Sequence, residues 1–167
     1  MTIKTINYFA YGSNMCTHRL KDRVPSARPL GIAYLIKHTL RFHKKSKDGS
    51  AKADAMYTGN APNSVWGVVF EIDGAEKSNL DTAEGLGQGY WERWVTVSNE
   101  VREYHALTYL ATNVDSYLKP YTWYMRYVIE GAKQHHLPED YLQAIEATAA
   151  IQDPDQARDQ RERLQPC

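Results

Sequence analysis

The apolar pattern of this chain changes from short strand-like runs to a helical period near residue 117. Before that point, runs rich in β-branched and aromatic residues are separated by turns. This pattern predicts strands at residues 3–11, 30–43 (as one strand or two), 65–72, 90–98 and 103–112. After it, apolar side chains recur every three or four residues, which predicts a helix carrying Tyr121, Tyr124, Met125, Val128 and Ala132. A chain of 167 residues with this order of elements suits one mixed α/β domain.

The remaining segments have weaker patterns. Residues 15–23 and 74–81 have helical character, and a second C-terminal helix is predicted near Pro138, because proline and acidic residues suit a first turn. Small polar residues over 44–55 predict a loop or a hairpin crossing. Residues 151–167 are charged and poorly patterned, so we expect a surface helix or a frayed tail beyond a folded domain at 1–150.

The charge balance argues against two classes of partner. Lysine and arginine number 20 together, as do aspartate and glutamate, so no net field attracts nucleic acid or an anionic membrane. The one basic cluster, His43–Lys47 with Lys52, is interrupted and is interpreted as a solvated loop. The N-terminal apolar run is too short for a signal peptide core or a membrane span. We therefore expect a cytoplasmic protein that binds neither nucleic acid nor membranes.

Cysteine and histidine give no metal-binding pattern. Cys16 and Cys167 are too few for a disulfide framework, so we expect none, and neither has a partner at metal-ligand spacing. The adjacent His135 and His136 would point to different sides of a helix end, which does not suit a shared ion. We expect no metal in this protein.

The segment YFAYGSNM, at residues 8–15, interrupts the first strand and leads into a helix. Such a turn exposes consecutive backbone N–H groups which, together with the helix dipole, bind a carboxylate or a phosphate. Ser13 or Asn14 would also cap the helix. The residues alone favour the simpler interpretation, a capped turn that binds nothing, over an anion site.

The second motif is LDTAEG, in which Glu84 precedes a glycine-rich turn at residues 85–89. Functional side chains are common where an element ends beside such a turn. An isolated glutamate is far more often a surface carboxylate, so this motif alone favours that interpretation.

Together, YFAYGSN and the later LD-x-x-EG resemble the γ-glutamylcyclotransferase family. The likeness continues in the same order through VWGVVFEI, through Tyr90 and Arg93, and into a tyrosine-rich helix followed by GAKQHHLPEDY, and it covers roughly residues 7–145. The resemblance implies an α+β fold, a small mixed β-barrel flanked by helices in a single domain. It also implies a cavity at one edge of the barrel.

The resemblance also implies roles for particular residues. Glu84 corresponds to the family's general acid and base, and the turn holds the γ-glutamyl group through backbone amides. Tyr124 is implied as a hydroxyl that lines the pocket. The implied substrate-binding residues are Tyr8, Phe9, Ala10, Tyr11, Gly12, Ser13, Asn14, Met15 and Tyr124.

The implied reaction needs no cofactor. The α-amine of a small γ-glutamyl substrate attacks its own γ-carbonyl, which forms 5-oxoproline and releases an amine. Three hypotheses remain: an enzyme for γ-glutamyl amino acids or peptides, an enzyme for γ-glutamylamines, and a non-catalytic small-molecule-binding or interaction protein with this fold. The apolar tyrosines near residue 121 would suit a homodimer as well as a core.

Overall fold

A closed five-stranded barrel forms the centre of the fold. We describe it from a computed structural model that covers residue 2 and residues 4–167. The strands are β1 (Thr5–Ala10), β2 (Arg28–Ile36), β3 (His38–Lys45), β4 (Ala51–Tyr57), β5 (Ser64–Asp73), β6 (Tyr90–Ser98) and β7 (Glu103–Ala111). The barrel order is β1-β5-β2-β6-β7, and a parallel pairing of Tyr8 with Leu107 closes it between β1 and β7. The other barrel pairs are antiparallel, and β3 with β4 forms a separate two-stranded sheet.

In the described part of the chain, five α-helices accompany the strands: α1 (Thr17–Arg23), α2 (Lys77–Glu84), α3 (Thr122–Gln134), α4 (Glu139–Glu146) and α5 (Gln156–Leu164). Short 3₁₀ turns lie at Ser13–Met15 and Gly74–Glu76. This architecture confirms the predicted α+β barrel with flanking helices. Among the described residues, no helix combines the length and apolarity needed to cross a membrane.

The predicted strands are found near their expected positions, with one omission. The strand predicted at 3–11 is β1, and its predicted first residue, Ile3, lies outside the described residues. The polar stretch 44–55, predicted as a loop or hairpin crossing, contains the end of β3 and the first five of the seven residues of β4. Ala51, Ala53 and Ala55 are buried at every second position as a strand requires, and Asp54 between them is buried as well. Alanine and lysine are poor strand formers and conceal that period.

The interpretation of the basic cluster as a solvated loop is wrong. Three of its residues are enclosed on the β3–β4 sheet: Lys44 is 8% exposed, His43 contacts Asp54 at 2.7 Å, and the Lys52 side chain is largely buried. The pleat of β3 turns Lys44 inward while its neighbour Lys45 stays exposed.

Although two cysteines form no disulfide framework, Cys16 and Cys167 are joined in a single disulfide that the sequence did not predict. Local sequence cannot reveal a pairing between residues 151 positions apart. Residues 151–167 form α5 and return to α3, where Arg126 Nη2 donates to the backbone oxygens of Glu162 (2.9 Å) and Gln165 (2.8 Å). This return brings the last residue of the chain to the start of α1.

The close packing of α3 against the Ser13–Met15 turn depends on Gly131. A Cβ at this position would lie 2.7 Å from Cys16 N and 2.8 Å from both Met15 C and Met15 Cβ. Only glycine lets the helix come so close to this backbone. The contact fixes the turn that follows β1 against the long buried face of α3.

We expect Gly131→Ala to lower the free energy of unfolding by about 1–3 kcal/mol, the usual cost of overpacking a close contact. Thermal unfolding of the purified variant measures this. Glu130→Ala is the matched control, because residue 130 is the adjacent helical position and is exposed. Equal stability of the two variants would show that the turn moves aside without cost and is not fixed by this contact.

Candidate active site

The turn after β1 leaves two main-chain donors without a protein acceptor. Met15 N–H donates to Gly12 O at 3.1 Å, and Cys16 N–H donates to Ser13 O at 3.2 Å. In the described part of the chain, no hydrogen bond uses the N–H of Gly12 or Ser13. Both residues line a cavity, so this cavity wall offers two adjacent donors of the kind that bind a carboxylate.

Glu84 reaches the same cavity because α2 ends beside it. Gly85 takes a left-handed conformation (φ 68°, ψ 49°), and its N–H donates to Thr82 O at 3.1 Å, which closes the helix. Asn14 Nδ2 then donates to Glu84 Oε1 across 70 positions of sequence. This hydrogen bond joins the end of α2 to the turn that follows β1.

Asn14 is held in one orientation by its other contacts. The residue is 3% exposed, its Nδ2 also donates to Tyr8 Oη at 3.2 Å, and its Oδ1 accepts from Arg23 Nη1 at 2.9 Å. An arginine can only donate, so Arg23 fixes which end of the amide faces Glu84. The carboxylate therefore always meets an N–H donor.

Burial raises the pKa of Glu84 above its ordinary value. The positive charges of Arg23, Arg19 and Lys44 oppose this shift without cancelling it, as does a hydrogen bond with Tyr8. A carboxyl group with a raised pKa exchanges its proton closer to neutral pH. The environment of Glu84 thus suits a group that both accepts and donates a proton.

The cavity contains about 320 Å³ of empty space, including its opening. Tyrosines dominate its wall, and their hydroxyls differ in use: Tyr90 Oη donates to Ala53 O, whereas Tyr124 Oη accepts from Ala53 N–H at 3.0 Å. Burial raises the pKa of Tyr124 to about 12, so its hydroxyl keeps its proton at neutral pH. That proton has no acceptor within the described residues. The lining residues are Tyr8, Tyr11, Gly12, Ser13, Asn14, Ala53, Glu84, Tyr90, Thr108, Tyr109 and Tyr124.

A second hollow, which we call the cationic vestibule, adjoins this cavity and contains about 450 Å³ of empty space. Four of its lining residues, among them Glu84, also line the first cavity. Four others are cations, so an anion entering the vestibule meets positive charge on its walls. The vestibule is lined by Ser13, Arg19, Arg23, Lys44, Ser46, Lys52, Ala83, Glu84, Tyr90 and Tyr124.

The polar groups that line the two hollows are one carboxylate together with amides, hydroxyls and cations. In the part of the chain that the structure describes, no three His, Cys, Asp or Glu residues lie close enough to share a metal ion. These groups are those required to bind an acidic molecule and move a proton.

Comparison with known proteins places the chain in a family. Residues 64–145 match the model of the AIG2-like family. A mouse protein named gamma-glutamylcyclotransferase is 34% identical over 149 residues, which cover 86% of this chain and 79% of that protein. A human protein of the same name is 31% identical over 145 residues, covering 84% of this chain and 77% of that protein. The chain belongs to the γ-glutamylcyclotransferase family.

Solved structures support this assignment at the level of the fold. A structure titled gamma-glutamyl cyclotransferase matches with a TM-score of 0.82 and 27% identity over 95% of this chain and 99% of that one. A human protein described as uncharacterised matches with a TM-score of 0.80 and 28% identity over 93% of this chain and 98% of that one. The resemblance inferred from YFAYGSN and LD-x-x-EG is confirmed, and so is the γ-glutamylcyclotransferase fold.

The fold brings most of the predicted site residues to one cavity. Its wall contains the predicted Tyr8, Tyr11, Gly12, Ser13, Asn14, Glu84 and Tyr124. Phe9, Ala10 and Met15 do not line it; each packs in the hydrophobic core. These three lie behind the turn and support it.

Sequence reasoning missed the cations and two of the tyrosines. Arg19 and Arg23 stand four residues apart in the segment predicted to be helical, a spacing that places them on one face, so this signal was available. Lys44 and Lys52 had no such signal, since they enter the site only through the β3–β4 pairing. Tyr90 and Tyr109 come from β6 and β7, where nothing in the sequence separates a cavity tyrosine from a core tyrosine.

We expect Glu84→Gln to stabilise the folded γ-glutamylcyclotransferase above neutral pH. A raised pKa means that the folded state holds the proton more tightly than the unfolded chain, so ionisation at higher pH costs stability. That cost is absent below the ordinary glutamate pKa and complete above the folded one. The variant should gain in Tm at high pH, and progressively less as the pH falls.

Glu100→Gln serves as the control, because Glu100 is exposed and its substitution also removes one negative charge. Thermal unfolding of both variants across the pH range gives the comparison. A gain for Glu84→Gln that does not depend on pH would contradict a raised pKa.

Proposed function

We propose that this protein cyclises the γ-glutamyl group of a γ-glutamyl amino acid or peptide to 5-oxoproline and releases the amine. One observation carries the proposal: the carboxylate of Glu84 and the free amides of Gly12 and Ser13 share one small cavity. The similarity to proteins named gamma-glutamylcyclotransferase supports the same activity.

The amides of the turn bind the α-carboxylate of the glutamyl group. Gly12 and Ser13 supply two N–H donors, and the nearby start of α1 adds a favourable dipole. Holding this carboxylate on one wall folds the short glutamyl chain so that its α-nitrogen approaches its own γ-carbonyl. Orientation of this kind supplies about 7–11 kcal/mol of the barrier in well-aligned intramolecular reactions.

Glu84 acts as the single proton carrier. It removes a proton from the α-ammonium group, and the free amine attacks the γ-carbonyl carbon to close a five-membered ring. The bond from that carbon to the leaving nitrogen then breaks, and Glu84 returns the proton to the leaving amine. The ring nitrogen gives up its second proton to water, and the released amine takes one from water. The α-nitrogen therefore loses two protons and the leaving nitrogen gains two, so the reaction is balanced with no cofactor.

Asn14 and Arg23 position this carboxylate. Asn14 Nδ2 holds one oxygen of Glu84, which leaves the other oxygen for the substrate. Arg23 holds Asn14 and stabilises the ionised form of Glu84 through its charge. Together they prevent the carboxylate from turning away between the two proton transfers.

Tyr124 supports the oxyanion that forms during attack. Its hydroxyl accepts from Ala53 N–H, so its own proton is available to an oxygen in the cavity. A donor placed in this way stabilises the charge that develops on the carbonyl oxygen.

We expect Glu84→Gln to lower the rate of 5-oxoproline release by about 10²–10⁴-fold, the usual contribution of a general acid and base. Purified protein is incubated with γ-glutamyl amino acids, γ-glutamyl peptides and γ-glutamylamines, and 5-oxoproline is measured. Glu100→Gln, which changes an exposed glutamate, should retain full activity.

The preferred substrate separates this proposal from its alternatives. Faster turnover of γ-glutamylamines would favour an amine-releasing enzyme. Binding without 5-oxoproline from any compound would favour a binding protein with this fold. Activity that survives in Glu84→Gln would show that another residue carries the proton.

A further inference from the structure

Only some of the cations that line the cationic vestibule form ion pairs with carboxylates of the protein. Lys52 Nζ lies 2.9 Å from Asp48 Oδ2, and Arg19 Nη1 lies 3.6 Å from Glu162 Oε2. Among the described residues, neither Arg23 nor Lys44 has a carboxylate within 4.0 Å of its charged nitrogens. Two cations are therefore available to an anionic ligand.

Lys44 is the more unusual of the two. It is 8% exposed, and its ammonium lies 4.7 Å from the centre of the Tyr90 ring. No hydrogen bond of its side chain to another described residue is found. The ammonium group itself stays open to the vestibule, so a ligand there can supply the missing acceptor. Burial lowers the pKa of Lys44, and the charges of Glu84 and Asp48 act against this shift.

The position of Glu84 decides which part of a substrate reaches Lys44. Glu84 lines both hollows, so the bond that is cleaved lies at their junction. With the glutamyl group in the first cavity, the leaving amine must extend into the cationic vestibule. This step rests on the proposed function.

We propose that Lys44, assisted by Arg23, is a specificity-determining residue that binds carboxylates of the leaving group. The favoured substrates are then γ-glutamyl peptides whose leaving residue is acidic and carries two carboxylates, one for each unmatched cation. A γ-glutamylamine brings no anion to the vestibule and leaves both cations unmatched.

The test compares γ-glutamylglutamate with γ-glutamylpropylamine. Their glutamyl groups are identical, and only the first has carboxylates on the leaving group. The wild-type protein should have a lower KM for γ-glutamylglutamate. Lys44→Gln should raise that KM about 10- to 100-fold, the range expected for one charge-assisted hydrogen bond. Its KM for γ-glutamylpropylamine should stay near the wild-type value.

Two control variants test whether the loss of any positive charge, or the loss of packing against Tyr90, explains the effect. Lys45→Gln removes an equal charge from an exposed neighbour on the same strand and should leave the substrate preference unchanged. Lys44→Met keeps an unbranched apolar stem against Tyr90 and should repeat the effect of Lys44→Gln if the ammonium group is responsible.

The outcomes are distinct. Equal KM values for the two substrates in the wild type would overturn the inference and leave the proposed function standing. A KM raised equally for both substrates in Lys44→Gln would also overturn it, because Lys44 would then hold the shared glutamyl group. If no substrate yields 5-oxoproline, the proposed function fails and the inference fails with it.

Discussion

The side chain of Asn14 connects the three elements from which the site is built. Its amide nitrogen donates to Glu84 at the end of α2 and to Tyr8 on β1, while its oxygen accepts from Arg23 at the end of α1. Each partner uses a different atom or direction of one planar group, so none can move alone. The spatial relation between Glu84 and the turn at Gly12 and Ser13 depends on this one buried amide.

The tyrosines explain why the surrounding cavity keeps its shape. The chain has 12 tyrosines and three phenylalanines, and five of the tyrosines line this cavity. Tyr11 and Tyr90 donate their hydroxyl protons to backbone oxygens, and Tyr109 Oη donates to Asp81 Oδ1 at 2.5 Å. A phenylalanine would fill the same volume without these hydrogen bonds. The barrel therefore gains walls that are both apolar and fixed by hydrogen bonds.

The sequence predicted those elements and site residues that a local pattern or a motif identifies. The barrel strands, α3 and the turn at Gly12 were found from periodicity, turn residues and family likeness, and Glu84 from its place in LD-x-x-EG. Lys44 and β4 were missed because their burial depends on a hairpin partner, and alanine-lysine alternation resembles a loop. The pairing of Cys16 with Cys167 was missed because it depends on the path of α5, which no local signal describes.

Burial and the nearby positive charges shift the pKa of Glu84 in opposite directions. Burial alone would keep the carboxyl protonated, and three nearby cations alone would keep it ionised. The shift that remains is upward, which means that burial outweighs the cations. A proton carrier needs this intermediate condition, because it must accept a proton and return it within one turnover. The same cations would attract the carboxylates of an acidic leaving group, and bound carboxylates would in turn weaken their hold on Glu84. In the proposed reaction, an acidic substrate would therefore raise the proton affinity of Glu84 at the moment when it must take the proton.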